Sequence, residues 1–380
     1  MTAPTIGFLV RSTAWGGAER HTVAVARSVA ERGHPVVIVQ LGHELFTRHA
    51  DLPTNGGIRL VSEPAGRTFS VLGWRKLLRT QRVRRAVLVK GIFGVRWTAL
   101  DLAVLVGRTP MVTIEHQYPD PNLIPRSSGI LLRRERAVLA LHRAAARRVV
   151  AVSDAIGRRL VESYGFDPGR VSVVSNGVDP VRFVPDDARR ARARARWGVR
   201  DNALVFGFLG RLSVEKRIDR LLEAFRRVRD STSGPEPVLV VVGSGPAEAN
   251  LRRLADELGI SASCRWAGVT TAAWDDYPGF NVFALASDRE RLPPTVLEAM
   301  SCGLPVVAVD IPGTRQMVME GETGIIAART PESLASAMLA MANAPGEIRR
   351  AWGAGAREHV LEHHDARKTA DAVASIALGG

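Results

Sequence analysis

Short apolar runs alternate with longer amphipathic stretches from one end of the chain to the other. Read by period, the runs predict strands and the stretches predict helices. A strand is expected over Thr5–Arg11, then a helix from about Ala18 to Arg32 closed by Gly33, then a strand over Pro35–Gln40. Further strands are expected at Ile58–Val61, Ala86–Val89, Met111–Ile114, Arg148–Val152 and Val171–Val174. Prolines and acids over Pro180–Asp187 interrupt the alternation, and a basic helix, Ala188–Trp197, runs into Gly198. The pattern then starts afresh. Strands are expected at Ala203–Phe208, Pro237–Val242, Cys264–Ala267, Asn281–Ala286, Leu304–Val309 and Ile325–Ala328. Helices are expected at Ile218–Val228, Ala247–Leu258, Thr295–Ser301 and Pro331–Ala342. The tail from Ile348 to Leu378 reads as helical with a break near Glu362–Asp365. Strand–helix alternation of this kind predicts an α/β chain with doubly wound parallel sheets, and the interruption near residue 180 predicts two domains.

The segment from Ser287 to Met300 is the most informative. Glu290 follows an apolar strand, and Glu298 lies in the helix after it. Pro293 and Pro294 mark the helix start, where a missing N–H costs nothing, and Gly303 is placed to end it. Both carboxylates therefore fall at the carboxyl end of a parallel sheet, where open α/β folds bind ligands. Spacing alone also allows Glu298 to be an acid that favours the helix dipole and Glu290 a solvated loop charge.

Composition narrows the setting. The chain has 380 residues, enough for two domains of ordinary size, and is 46% hydrophobic and 24% charged. No apolar run approaches the ~20 residues of a membrane span. Met1–Val10 enters a strand directly, without a charged leader or cleavage site, so a secretory signal is not expected and the cytoplasm is the expected compartment. Cys264 and Cys302 make neither a disulfide framework nor a metal cluster and are expected to be small buried packers. The net charge of +14 is carried almost wholly by arginine, the lysines being Lys76, Lys90, Lys216 and Lys368. Lys216 thus stands out as a lysine kept where arginine is the default.

Four further constellations carry candidate chemistry. Gly16-Gly17, between the first strand and first helix, lets backbone approach a ligand at a helix N-terminus, or simply makes a tight turn. Its surroundings form neither a Gly-x-Gly-x-x-Gly fingerprint nor a Walker loop. Arg211 and Lys216 flank a short loop after the first strand of the second half. Two fixed cations there can neutralise a diphosphate without a metal, the alternative being a solvated basic loop. Gly243 and Gly245 close a strand beside the same place and suit either a flat ring lying on backbone or a plain strand-to-helix turn. His116 ends a strand of the first half, where it can reach a ligand or serve structure. His21, His34, His363 and His364 have no convergent partners in the sequence.

In order and spacing, Gly16-Gly17, His116, Ser153, Asn176–Asp179, Gly210-Arg211 with Lys216, Gly243–Pro246, Gly268 and Glu290…Glu298 resemble the retaining GT-B glycosyltransferases of family GT4. Leu297–Val307 and Gly321–Gly324 are similar to the carboxy-terminal signature of that family. The resemblance covers nearly the whole chain and lies in the ordered set, not in any single motif. It implies two doubly wound Rossmann-like domains facing each other across a cleft: an acceptor-side domain, 1–180, and a nucleotide-sugar domain, 181–361, with the last helix, about 362–380, packing back on the first. It implies transfer from a nucleoside diphosphate sugar, UDP- or GDP-linked, to an acceptor hydroxyl with retention and with no metal or other cofactor. The leaving diphosphate then takes the acceptor's proton on the same face.

Carried over by position, Arg211 and Lys216 would hold the pyrophosphate, Glu298 the ribose hydroxyls and Glu290 the donor sugar hydroxyls. Gly243, Gly245 and Val269 would border the base. Gly16 and Gly17 would bring amides to the phosphates, and His116 would contact the sugar near its reacting end. Arg291 stands where the family has glycine, and Pro293 and Pro294 remove two N–H donors. Thr295 and Val296 are left to supply amides, Arg291 would either add a cation to the diphosphate or narrow the sugar pocket, and Leu292 is expected among the donor-binding residues. The donor and a small-molecule or lipid-linked acceptor are the expected partners. Loops at Arg11–Trp15, Gly91–Trp97 and Pro119–Ser128 would choose the acceptor.

Trp74–Arg79, Gln81–Arg85 and Leu131–Arg148 form basic stretches expected as helices. A solvated arginine-rich face is favoured over peripheral contact with the inner membrane face, and both stay open. No nucleic-acid module is present. A nucleotide-dependent oxidoreductase would need a Rossmann fingerprint and an acid ~20 residues on, which the first loop lacks. A nucleotide-sugar-binding protein without catalysis is hinted at only by Arg291 and the double proline.

Overall fold

The computed structural model describes residues 3–11, 17–40, 57–62, 70–90, 102–104, 107–116, 140, 142–232, 236–290 and 292–379. The chain divides into two compact units. One comprises Met1–Gly177 with Ala366–Gly380, the other Val178–Asp365.

The first unit is built on β1 (Thr5–Arg11), β2 (Val36–Gln40), β3 (Ile58–Ser62), β4 (Val83–Lys90), β5 (Met111–Glu115), β6 (Ala146–Ala151) and β7 (Val171–Val173). All pairings are parallel, in the order β3-β2-β1-β4-β5-β6-β7. Central strands such as β2 and β5 are buried along their whole length, which is why they read as continuous apolar runs and not as alternating ones. Helices α1 (Gly17–Glu31), α2 (Val71–Thr80) and α3 (Asp154–Glu162) connect strands of this sheet. Ser70 and Ser153 cap α2 and α3 by accepting from the N–H groups of Gly73 and Ile156. The final helix, Ala366–Leu378, packs on α1: Ser28 Oγ donates to Asp371 Oδ1 at 2.5 Å, and Arg32 pairs with Asp371 at 3.3 Å.

One expected helix is absent. The basic run Gln81–Arg85 leaves α2 and enters β4, with Val83 buried, Arg84 exposed and Arg85 reaching the Ala377 carbonyl at 3.3 Å. The side chains alternate inward and outward because the segment is a strand. Of the other basic run, residues 131–139 and 141 lie outside the described residues, while Arg147 and Arg148 stand on β6.

The second unit carries α4 (Asp187–Trp197), β8 (Leu204–Leu209), α5 (Ile218–Ser231), β9 (Pro237–Val242), α6 (Glu248–Glu257), β10 (Cys264–Gly268), β11 (Val282–Leu285), α7 (Pro294–Ser301), β12 (Val306–Val309), α8 (Pro312–Arg315), β13 (Gly324–Ala327), α9 (Pro331–Asn343) and α10 (Gly346–His363). Its sheet is parallel, in the order β10-β9-β8-β11-β12-β13. Gly207 on β8 makes room for Phe280, whose ring a Cβ there would meet at 2.2 Å. Phe280 in turn stacks on Trp197 of α4, centroids 5.3 Å apart.

Arg194 locks α4 to this core. Fully buried, it donates to the carbonyls of Gly279, Arg200, Asp201 and Ala203 and to Asn281 Oδ1. Cys264 and Cys302 are buried, and burial pushes the Cys264 thiol up to about 12. Among the described residues, no helix is long and apolar enough to cross a membrane.

Candidate active site

Strand order reverses in the second sheet between β8 and β11, and the crevice at the carboxyl ends of two such strands is where open α/β folds take ligands. Both strands end in loops that turn towards each other. The loop after β8 closes on a one-turn helix, Val214–Lys216, and the loop after β11 runs from Ala286 to the start of α7. Their backbones meet where Asp288 N–H donates to the Glu215 carbonyl at 2.9 Å. Their side chains meet where Lys216 Nζ donates to Glu290 Oε1, both groups being partly shielded from solvent.

Arg211, at the start of the β8 loop, is exposed, and its charge acts on the Glu215 carboxylate. Glu215 accepts from Ser213 Oγ at 2.6 Å, and this bond holds its carboxyl below the usual range.

The neighbouring strand ends are bound backbone to backbone. Gly210 N–H donates to Val242 O at 3.0 Å, Gly243 N–H to Gly268 O at 2.7 Å, and Leu212 N–H to Ser244 O at 2.9 Å. A Cβ on Gly243 would stand 1.9 Å from Gly210 O, and one on Gly245 would stand 2.3 Å from Leu212 O. These glycines therefore answer first to the close approach of two loops, a demand that exists whether or not a ligand lies beside them. Val269 follows Gly268 on this rim and is 72% exposed.

Helix α7 opens with Pro293 at its N-cap and Pro294 behind it. Leu292 and Val296 are buried in the core, and Thr295 is half-buried. The Val296 N–H donates to the Pro293 carbonyl at 3.1 Å, so it is not the free amide expected for it; the first turn of the helix closes on its own N-cap. Glu298 is 5% exposed and accepts from the Tyr277 hydroxyl. The alternative of a solvated loop charge at Glu290 does not hold, since Glu290 is largely shielded and paired with Lys216. Arg291 lies outside the described residues.

In the first unit, His116 directly follows β5 and is buried, its ring edge-on to His21 of α1 with centroids 5.3 Å apart. His21 therefore has a convergent partner that the sequence did not reveal. Burial pushes the His21 pKa down to about 4. Burial, and then the neighbouring His21, hold His116 well below the usual imidazole range. Glu115, beside His116, is buried 3.7 Å from His142 Nε2. Gly17 opens α1, while Gly16 and the three acceptor-choosing loops, apart from Arg11, lie outside the described residues. Among the described residues, no group of three or more histidines, cysteines or acids is placed to hold a metal ion.

His21, Tyr277 and Asp288 were not legible as site residues. The Lys216–Glu290 pair spans 74 positions and the Tyr277–Glu298 pair 21, and no local pattern marks either.

Comparison with known proteins meets this geometry. A family model for glycosyl transferases group 1 matches residues 189–359, and one for glycosyltransferase family 4 matches residues 15–182. The chain belongs to this family of glycosyltransferases. Within the family it is 36% identical over 225 residues to D-inositol 3-phosphate glycosyltransferase 2 of Catenulispora acidiphila, a match spanning 57% of this chain and 52% of that protein. It is 37% identical over 227 residues to the D-inositol 3-phosphate glycosyltransferase of Geodermatophilus obscurus, spanning 57% and 49%. The matches thus span about half the length of these curated relatives.

A glycosyltransferase from Rickettsia africae superposes with a TM-score of 0.82 over 100% of both chains, at 18% identity. Anabaena Alr3699/HepE in complex with UDP does so at 0.80 over 98% of this chain and 99% of that one, at 19% identity. At such identities the likeness speaks for the fold, and the fold is GT-B.

Proposed function

We propose that this chain is a retaining glycosyltransferase that moves a sugar from a nucleoside diphosphate sugar to an acceptor hydroxyl. The observation that carries the reading is the meeting of Lys216 and Glu290 at the point where the order of the second sheet reverses. The difficult part of such a transfer is charge: positive on the departing sugar, negative on the leaving diphosphate. Fixed cations stabilise the second. An ammonium has three protons to donate, so Lys216 can keep Glu290 and still reach a phosphate oxygen. Arg211, exposed at the start of the same loop, is available to the same diphosphate. Glu290 would then face the sugar hydroxyls and Glu298 the ribose.

In the first unit, burial keeps His116 uncharged at neutral pH, so any part it takes would be that of a neutral imidazole. No protein nucleophile is assigned. The leaving diphosphate takes the acceptor's proton on the face it departs from, and neither a metal nor another cofactor is required. UDP-sugars come first as donors, because the related HepE fold was solved with UDP. The names of the curated relatives put inositol phosphates first among acceptors, ahead of lipid-linked saccharides. The reaction belongs in the cytoplasm, and any peripheral membrane contact would run through α2, whose exposed face carries Leu72, Lys76 and Arg79.

A panel of UDP- and GDP-sugars, scored by release of the nucleoside diphosphate and by product mass, tests the reading. Lys216→Ala and Glu298→Ala are each expected to abolish most transfer while the protein stays folded. Turnover at the wild-type rate in either variant would sink it.

A further inference from the structure

We propose that Asp288 is a positioning residue that clamps the loop after β8 to the loop after β11 and so sets Lys216 against Glu290. The inference rests on the reading of that pair given above.

The clamp has three arms. Asp288 Oδ1 accepts from Arg220 Nη2 at 2.8 Å, Oδ2 accepts from Arg217 Nη1 at 3.1 Å, and the Asp288 N–H donates to the Glu215 carbonyl at 2.9 Å. Arg220 is buried and fixed at its other nitrogen, which donates to the Ala286 carbonyl at 2.8 Å. Arg217 is held a second time by Asp219, to which Nη2 donates at 2.9 Å. Burial works to raise the Asp288 pKa, but the bonds from Arg220 and Arg217 outweigh it and keep the carboxyl below its usual range.

Arg217 supplies an independent sign. Its backbone is left-handed, φ 50 and ψ 44, a conformation that costs a residue with a Cβ on the order of 1–2 kcal/mol. Such a conformation persists only where its surroundings over-determine it, and here the guanidinium is tied to two carboxylates. Lys216 is the next residue back in the chain, and Glu290 lies two beyond Asp288. The clamp therefore sits one residue from Lys216, through Arg217, and two residues from Glu290.

It also sorts charges. Lys216, Arg217 and Arg220 stand against Asp288 and Glu290 where the loops meet. Asp288 occupies both arginines, which leaves Glu290 to Lys216. Without Asp288, Arg217 keeps Asp219 through Nε and Nη2, but its Nη1 loses its partner and can turn to Glu290 and draw it away from the lysine.

Amide hydrogen exchange on Asp288→Ala and Arg217→Gly tests the clamp directly. Arg217→Gly removes one arm while easing the left-handed backbone, so it keeps the fold even where Asp288→Ala does not. Both variants are expected to speed exchange in residues 213–217 and 286–290 together, with the core of the second unit unchanged. Faster exchange in only one loop, or in neither, overturns the proposal.

Titration with UDP and with GDP then ties the clamp to the site. Affinity is expected to fall about tenfold in Asp288→Ala, and no further in the Lys216→Ala/Asp288→Ala double variant than in Lys216→Ala alone. Additive losses would mean that Asp288 acts on the fold and not through Lys216, and would also overturn it. If Lys216→Ala alone binds nucleotide and turns over like wild type, the functional reading fails, and the exchange result still decides the clamp.

Discussion

Tyr277 donates its hydroxyl to Glu298 Oε2 at 2.8 Å, and both side chains are buried. A hydrogen bond to a buried carboxylate fixes the direction in which its lone pairs face. If Glu298 holds the donor's ribose, Tyr277→Phe should weaken donor binding about tenfold, roughly 1.4 kcal/mol. The rate at saturating donor should stay near that of the wild type. A fall in kcat with KM unchanged would contradict this division of labour.

The histidine pair makes stability depend on pH. The folded His21 pKa of about 4 lies below the value of ~6.5 in an unfolded chain, so the unfolded state takes the proton first as pH falls. The contribution is complete above pH ~6.5 and is lost between there and about 4, amounting to about 3 kcal/mol. Burial holds His116 down in the same direction. Urea denaturation at stepped pH should show this loss. It should be smaller in His21→Phe, which keeps an edge-on ring against His116 and has no proton to gain.

Gly243 is the position at which the site is least tolerant of a side chain. Its φ of 133 already disfavours other residues, and a Cβ would stand 1.9 Å from Gly210 O. Gly243→Ala is expected to push the ends of β8 and β9 apart and to cost nucleotide affinity together with several degrees of Tm. Binding and Tm both at the wild-type level would show that the two loops can part without effect.

Arg194 carries stability and not chemistry. Its removal takes one donor from each of five buried or part-buried acceptors, of which Asn281 Oδ1 keeps the Val205 N–H and the Arg200 carbonyl keeps the Ala203 N–H. Arg194→Ala is expected to cost about 3–5 kcal/mol in chemical denaturation, the range for breaking a buried charged network. A loss under 1 kcal/mol would show that water replaces the guanidinium.

The sequence by itself determined the elements. Strands buried on both faces need continuous apolar residues, so β1, β2, β9 and β11 are visible as runs such as Pro237–Val242. Chain ends of helices are chosen locally too. Gly198 and Gly303, with φ of 64 and 73, stop their helices where the sequence puts the stops, and the break before the final helix falls within Glu362–Asp365. Lys216 and Glu290 were legible as candidates, because a loop at a strand's carboxyl end follows from the element order alone. Gln81–Arg85 misled, since an arginine-rich entry to a strand has the same composition as a basic helix, and only Val83 facing inward distinguishes them.

Tertiary structure alone decided the partners. That Lys216 meets Glu290, Asp288 meets Arg217, Tyr277 meets Glu298 and His21 meets His116 depends on which strands lie side by side. The reversal between β8 and β11 sets β8 beside a strand that is not its neighbour in sequence. Strand order is fixed by the burial of whole sheet faces and helix faces at once, a property no window of sequence contains. The chemistry-bearing residues are thus written locally, and their pairing is written by packing.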